Sequence, residues 1–233
     1  MSYLENFEKL NKDCWIYKDI VSADISNVRK SLGITLINYD MNAEALMTIP
    51  HQRFFDLAIV PSWKYKNGLS EEIIILSNNL CDAWEISADE LLKMAIKYAP
   101  ESSAFWLMEM GEYLSKIDPD TQGSDECPFY ILSNKEMDYG ASALCYEGAL
   151  EDIYREIGYN YYIIPANVHH MLLVPDIFSI NHILYAYYSV NQVNLCTLSM
   201  EEYLSNRMYY YDHSTGDVIM VDHNNLLYKS DIL

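Results

Sequence analysis

The sequence predicts an α+β fold, mixed sheets with flanking helices, arranged as two closely packed halves. Three observations carry that expectation. Of the 233 residues, 51% are hydrophobic, enough for a sizeable core and in the size range of one large domain or two smaller ones. Short β-rich runs and amphipathic helical stretches are interspersed without the strict alternation of a doubly wound sheet. In the middle, DPDTQGSDECP is acidic, turn-rich and almost free of hydrophobes, which sets an acidic linker at residues 118–127 between an N-terminal half, 1–117, and a C-terminal half, 128–233.

In the N-terminal half, Leu4, Phe7 and Leu10 recur at helical spacing. ITLINY, from Ile34, reads as a strand and is followed by a helical turn through Ala43 to Met47 that Pro50 stops. FFDLAIV, Phe54 to Val60, is expected to be one strand and EEIIILSN, from Glu71, the next, joined through the turn-rich KNGLS. Ser87 and Glu90 have the spacing of a capping box, opening a helix whose Leu91, Ala95 and Ala99 share a face and which Pro100 closes.

In the C-terminal half, PFYILSN and ASALCY are expected to be strands. Leu150, Ile153, Tyr154 and Ile157 mark an amphipathic helix ended by Gly158. YYIIP and HMLLVP follow as strands around a turn at Pro165 to Asn167, then a helix from Phe178 to Tyr188 and a short capped helix at Ser199 to Glu202. RMYYY and DVIMV form a closing hairpin across DHSTG. The tetrapeptide ILSN occurs at residues 75–78 and 131–134, an echo short enough to arise by chance and no sign of duplication.

Charge narrows the function. There are 34 acids to 15 bases, a formal net charge of -19, which argues against direct contact with nucleic acid or anionic lipid because phosphate neutralisation needs clustered Lys and Arg. Arginine is confined to Arg29, Arg53, Arg155 and Arg207, few candidates for bidentate phosphate recognition. The five cysteines are dispersed with no C-x-x-C pair, as expected for reduced thiols. With no basic leader and no apolar run near 20 residues, the expected location is the cytoplasm.

Candidate chemistry is sparse. His169 and His170 stand between hydrophobic runs, and on a strand they would face opposite sides, unable to share a metal. His182 and Asp176 add no ligand spacing. DPDTQGSDE begins like a calcium loop, but Gln122 holds the fifth position and Phe129 the twelfth, where a glutamate is required. Ser142 lacks the second glycine of G-x-S-x-G. Cys145 with His169 or His170 is the one nucleophile-and-base pairing on offer. No metal and no cofactor is expected.

The succession IPHQRFFDLAIV, LCDAWEISADELLKMA, YILSNKEMDYGASALCYEGALEDIYREIGYNYYIIPANVHHMLLVP and YYYDHSTG resembles an uncharacterised bacterial family, DUF5688. The resemblance covers the chain from about Val28 to the hairpin and is most specific from Tyr130 to Pro175. Similar sequences often carry Ser-x-His-Glu where this one has Asn167, Val168, His169 and His170, without the acidic neighbour. The resemblance implies a shared fold and carries no activity.

The expected function is therefore non-enzymatic: an acidic interaction protein that binds a basic protein partner, one case being a phage or mobile-element inhibitor that mimics nucleic acid before a nucleic-acid-processing or defence enzyme. The window from Glu85 to Glu126 holds ten acids against three lysines, and its Glu85, Asp89, Glu90, Glu109, Glu112, Asp118 and Asp120 are the candidate contacts. The cluster Tyr203, Tyr209, Tyr210 and Tyr211 would add rigid, amphipathic contact area. The alternative is an enzyme of unknown class with a cleft site using His169, His170 or Cys145.

Overall fold

The computed structural model describes residues 15–23, 28–67, 70–117 and 129–222. The expected helix at Leu4 to Leu10, the tip of KNGLS and the acidic segment with its calcium-like start lie outside the described residues. The fold is α+β, with two antiparallel sheets and flanking helices. The chain divides into two compact units, one built on residues up to Ala104 with Cys145–Glu147, the other on Phe105–Leu144 and from Gly148 onward.

In the first unit, helix Trp15–Ser22 (α1) precedes strand Leu32–Asn38 (β1) and the short helix Ala43–Leu46 (α2). The single strand expected from Phe54 to Val60 is corrected to two. Gln52–Phe54 (β2) and Leu57–Asn67 (β3) meet across Phe55 and Asp56, with Phe54 opposite Leu57. Phe55 has φ 55°, the left-handed conformation that a two-residue hairpin of right-twisted strands requires and that Gly or Asn usually supplies. Arg53 Nε donates to Phe55 O at 2.8 Å, and the Tyr39 amide donates to Asp56 O at 2.9 Å. Because an aromatic residue occupies the turn, the run reads as unbroken strand.

β3 is the spine of this sheet. β1 pairs along one edge, and β2 followed by Ser70–Ile75 (β4) along the other. After helix Asn78–Ala83 (α3), helix Ala88–Ser102 (α4) begins at the expected capping box: Ser87 Oγ accepts from the Glu90 amide at 3.2 Å, and the Glu90 carboxylate accepts from the Ser87 amide at 2.8 Å. Leu91, Leu92, Ala95 and Ala99 are its buried face. Pro100 lies inside the last turn instead of closing the helix before it, although it removes an N–H donor and crowds the carbonyl four residues earlier. The core gathers Ile20, Val28, Leu32, Tyr65, Ile74, Leu76, Leu80 and Leu91.

The second unit opens with strand Phe105–Glu109 (β5) and helix Met110–Ile117 (α5), then strand Tyr130–Asn134 (β6). ASALCY, expected as a strand, is a 3-10 helix over Gly140–Cys145. Gly140 to Leu144 are all buried, so the small residues reflect tight packing rather than a two-faced strand. Helix Ala149–Ile157 (α6) ends as expected at Gly158, which has φ 79°. Strands Tyr161–Pro165 (β7) and Met171–Pro175 (β8), helix Ile180–Thr197 (α7) and the hairpin Met208–Asp212 (β9) with Asp217–Val221 (β10) complete it. The helix expected to stop at Tyr188 continues through nine more residues, to Thr197. Ser199–Glu202 is a single capped turn rather than a helix, its side chains and amides reciprocally bonded at 3.2 and 3.3 Å.

The strand order is β10-β9-β7-β8-β6-β5, antiparallel throughout. On one face, Ile131, Ile164, Leu172, Val174 and Met208 pack against Ile183, Ala186 and Tyr187 of α7. On the other, Tyr161, Ile163, Leu173, Tyr209 and Tyr211 are also buried, and Tyr161 donates its hydroxyl proton to Leu150 O on α6 at 3.0 Å. A sheet covered on both faces has continuous apolar strands, hence YYIIP and MLLVP. The hairpin tip is tied to α6: the His213 ring stacks on Tyr154 at 3.8 Å, and its Nδ1 lies 2.8 Å from Glu151 Oε2. Among the described residues no helix is long and apolar enough to cross a membrane.

Candidate functional site

The histidines are not on a strand. They sit at the end of the β7–β8 connection, residues 166–170, where the amides of Ala166 and Asn167 donate to His170 O at 3.1 and 3.2 Å. Asn167 Oδ1 accepts from the amides of both His169 and His170 at 2.9 Å, the local capping that short polar side chains provide in tight turns. The expectation that adjacent positions would put the two rings on opposite faces is thereby corrected: their centroids are 6.1 Å apart.

His169 is met by a second turn, between β6 and the 3-10 helix. Asn134 closes that turn, donating from Nδ2 to Asp138 O at 2.7 Å and accepting from the Asp138 amide at 3.1 Å. Met137 and Tyr139 have φ 56° and 50°, left-handed conformations that cost a residue with a Cβ on the order of 1 kcal/mol each and cluster at sites where structure over-determines the backbone. The result is that the Tyr139 amide donates to His169 Nδ1 at 3.0 Å, while Asp138 Oδ1 lies 3.2 Å from the same nitrogen. Glu202 Oε1 is 4.0 Å from Nε2, and Ser133 Oγ donates to His169 O at 2.8 Å. Nδ1 thus meets both a donor, the Tyr139 amide, and an acceptor, the Asp138 carboxylate. The His169 side chain is 25% exposed.

Among the described residues no three His, Cys, Asp or Glu converge to hold a metal. Asp176 accepts from the Tyr210 hydroxyl at 2.9 Å, and His182 is bonded to Ser179 at 2.7 Å. Burial pushes the Cys145 thiol up to about 12, so it stays protonated and is a poor nucleophile. Ser142 gives its hydroxyl proton to Tyr139 O.

His170 is held differently. Its ring meets Tyr113 edge-on at 5.6 Å, and its buried Nε2 has no hydrogen-bond partner. Burial, with a smaller contribution from His169, lowers its pKa from 6.5 to about 4. The unfolded chain takes up this proton at higher pH than the folded one, so the stability contributed by the neutral ring is present above pH 6.5 and lost as pH falls toward 4. In His170→Phe, chemical denaturation is expected to lack about 2 kcal/mol of the acid-side loss seen in the parent chain, a figure already discounted for partial exposure. Parallel pH profiles for the two proteins would contradict this.

The proposed contact residues fall as follows. Glu85, Asp89 and Glu90 are exposed in the first unit, around the start of α4, with Asp89 bonded to Lys93 at 2.6 Å and Glu90 engaged in the cap. Glu109 and Glu112 are exposed in the second unit, Glu112 paired with Lys116 at 3.0 Å. Asp118 and Asp120 lie outside the described residues. Tyr203 and Tyr210 are half-buried. Tyr209 and Tyr211 are 0% and 3% exposed, so they are core and offer no contact surface. Asp138, Tyr139 and Glu202, which surround His169, were not anticipated. The capping spacing of Ser199 and Glu202 predicts a short helix and says nothing of its neighbour.

These features define a class, an α+β protein of antiparallel sheets in which a polar cluster around His169 lies between two turns. The chain belongs to the family of unknown function DUF5688, whose model spans residues 5–213. No curated protein and no solved structure matches it.

Proposed function

We propose that the protein is a non-enzymatic interaction module that binds a basic protein partner through solvated carboxylates. One observation carries this reading: in a chain of net charge -19, no Asp or Glu among the described residues is buried, so each of those carboxylates keeps access to solvent. The bases Lys93, Lys116 and Arg155 take acids on their own helices and leave most of that charge uncompensated. A fixed field of this sign speeds encounter with a cationic surface and selects against anionic ones. A nucleic-acid-processing or defence enzyme, met at the groove that takes its phosphates, is the partner class that fits, as for an inhibitor carried by a phage or mobile element.

The test is capture from lysate by the full chain at low and high salt, followed by affinity measurement on the retained protein. A basic partner is expected whose affinity falls as salt rises, and which Asp89→Lys combined with Glu112→Lys weakens about three- to tenfold. A partner held equally at both salt concentrations and indifferent to the two reversals overturns the reading.

A further inference from the structure

Helix α7 stands apart from the other described helices of eight or more residues: INHILYAYYSVNQVNLCT has no Asp, Glu, Lys or Arg, in a chain with 49 such side chains, 34 acidic and 15 basic. Its inner face, with Ile183, Ala186 and Tyr187, covers the six-stranded sheet. Its outer face sets apolar side chains among exposed Asn181, His182, Gln192 and Thr197. Tyr185 is 73% exposed, Tyr188 45%, Val193 57% and Leu195 83%. Tyr185, Tyr188, Gln192 and Leu195 follow one another at spacings of three, four and three, which places them in a single seam along the helix.

We propose that this seam is a self-association surface, on which a second copy of the chain packs its own α7 about a two-fold axis. The choice of occupant follows from charge. Two molecules of net charge -19 repel each other wherever carboxylates meet, and they meet none along α7. The nearest acids in sequence, Asp176 and Glu201, lie beyond the two ends of the helix. A two-fold axis sets a patch against itself, so an uncharged seam meets an uncharged seam and repulsion is least. A basic partner, by contrast, finds no carboxylate on α7 itself, which separates this seam from the carboxylates proposed above. Spacings of three and four are those that let one helix interleave with another at a shallow crossing angle, and tyrosine covers large area with few rotatable bonds.

The two surfaces differ in the sign of their salt dependence. Screening weakens attraction to a basic partner and weakens repulsion between copies, so the dimer tightens as salt rises. Sedimentation velocity of the full chain over a concentration series is expected to show a monomer–dimer equilibrium whose Kd falls with added salt. Tyr185→Glu with Leu195→Glu is expected to raise that Kd about tenfold or more while leaving the thermal unfolding midpoint unchanged, because both side chains are solvent-facing. A chain that stays monomeric at high concentration in high salt overturns the proposal. So does a dimer whose Kd the two substitutions leave unmoved.

Discussion

Gly140→Ala is expected to cost about 3 kcal/mol or more in urea unfolding, among the largest losses available to a single methyl group in this chain. A Cβ at that position would stand 2.3 Å from both the Asn134 amide nitrogen and Ser133 Oγ, and 2.9 Å from the Ser133 carbonyl carbon. Two of those atoms are backbone at the end of β6, where strand pairing prevents them from stepping aside. The natural control is Gly148→Ala. That glycine has φ 79° but nothing within 4 Å of its missing side chain, so its substitution carries backbone strain alone, about 1 kcal/mol. Equal losses in the two variants would show that the close approach at Gly140 relaxes freely. Because the same turn delivers the Tyr139 amide to His169, Gly140→Ala should also disturb the imidazole resonances of His169 in NMR spectra.

The second large effect lies at Tyr161, which is 0% exposed, stands 5.2 Å from the Tyr211 ring and donates its hydroxyl to Leu150 O. Tyr161→Ala is expected to destabilise by about 4 kcal/mol through the cavity it opens. Tyr161→Phe keeps the ring and loses one hydrogen bond, leaving the carbonyl without its donor, at about 1 kcal/mol. The ratio between the variants is the diagnostic, measured as shifts in denaturation midpoint at constant m-value. A phenylalanine variant as damaged as the alanine one would mean that the hydroxyl, and not the ring, organises the contact between sheet and α6.

Local signals survived the passage from sequence to fold, and non-local ones did not. The capping box at Ser87 and the Gly158 stop of α6 are set by residues within one helical turn, so their spacing was legible. The turn at Phe55 was hidden because its left-handed residue is aromatic, against the preference that turn recognition depends on. Tyr209 and Tyr211 could be taken for surface because a sheet buried on both faces gives no alternation to read. The surroundings of His169 were invisible for a different reason. Tyr139 is 30 positions away in sequence, and only the pairing of β6 with β8 brings the two turns to the same place. No periodicity within one strand encodes which strand it will lie beside.

The strand order also sets a timetable. Strand β7 acquires its first neighbour soon after it leaves the ribosome, since Pro165 faces Met171 across a tight connection. Its other edge waits for Tyr211 to meet Tyr161, fifty residues later in synthesis. Until then the amides and carbonyls along one edge of a largely buried strand stand uncovered, an invitation to any other extended chain nearby. The C-terminal hairpin is thus the closing piece of the sheet. A nascent chain stopped short of it exposes the centre of its own core and becomes a substrate for chaperones and proteases.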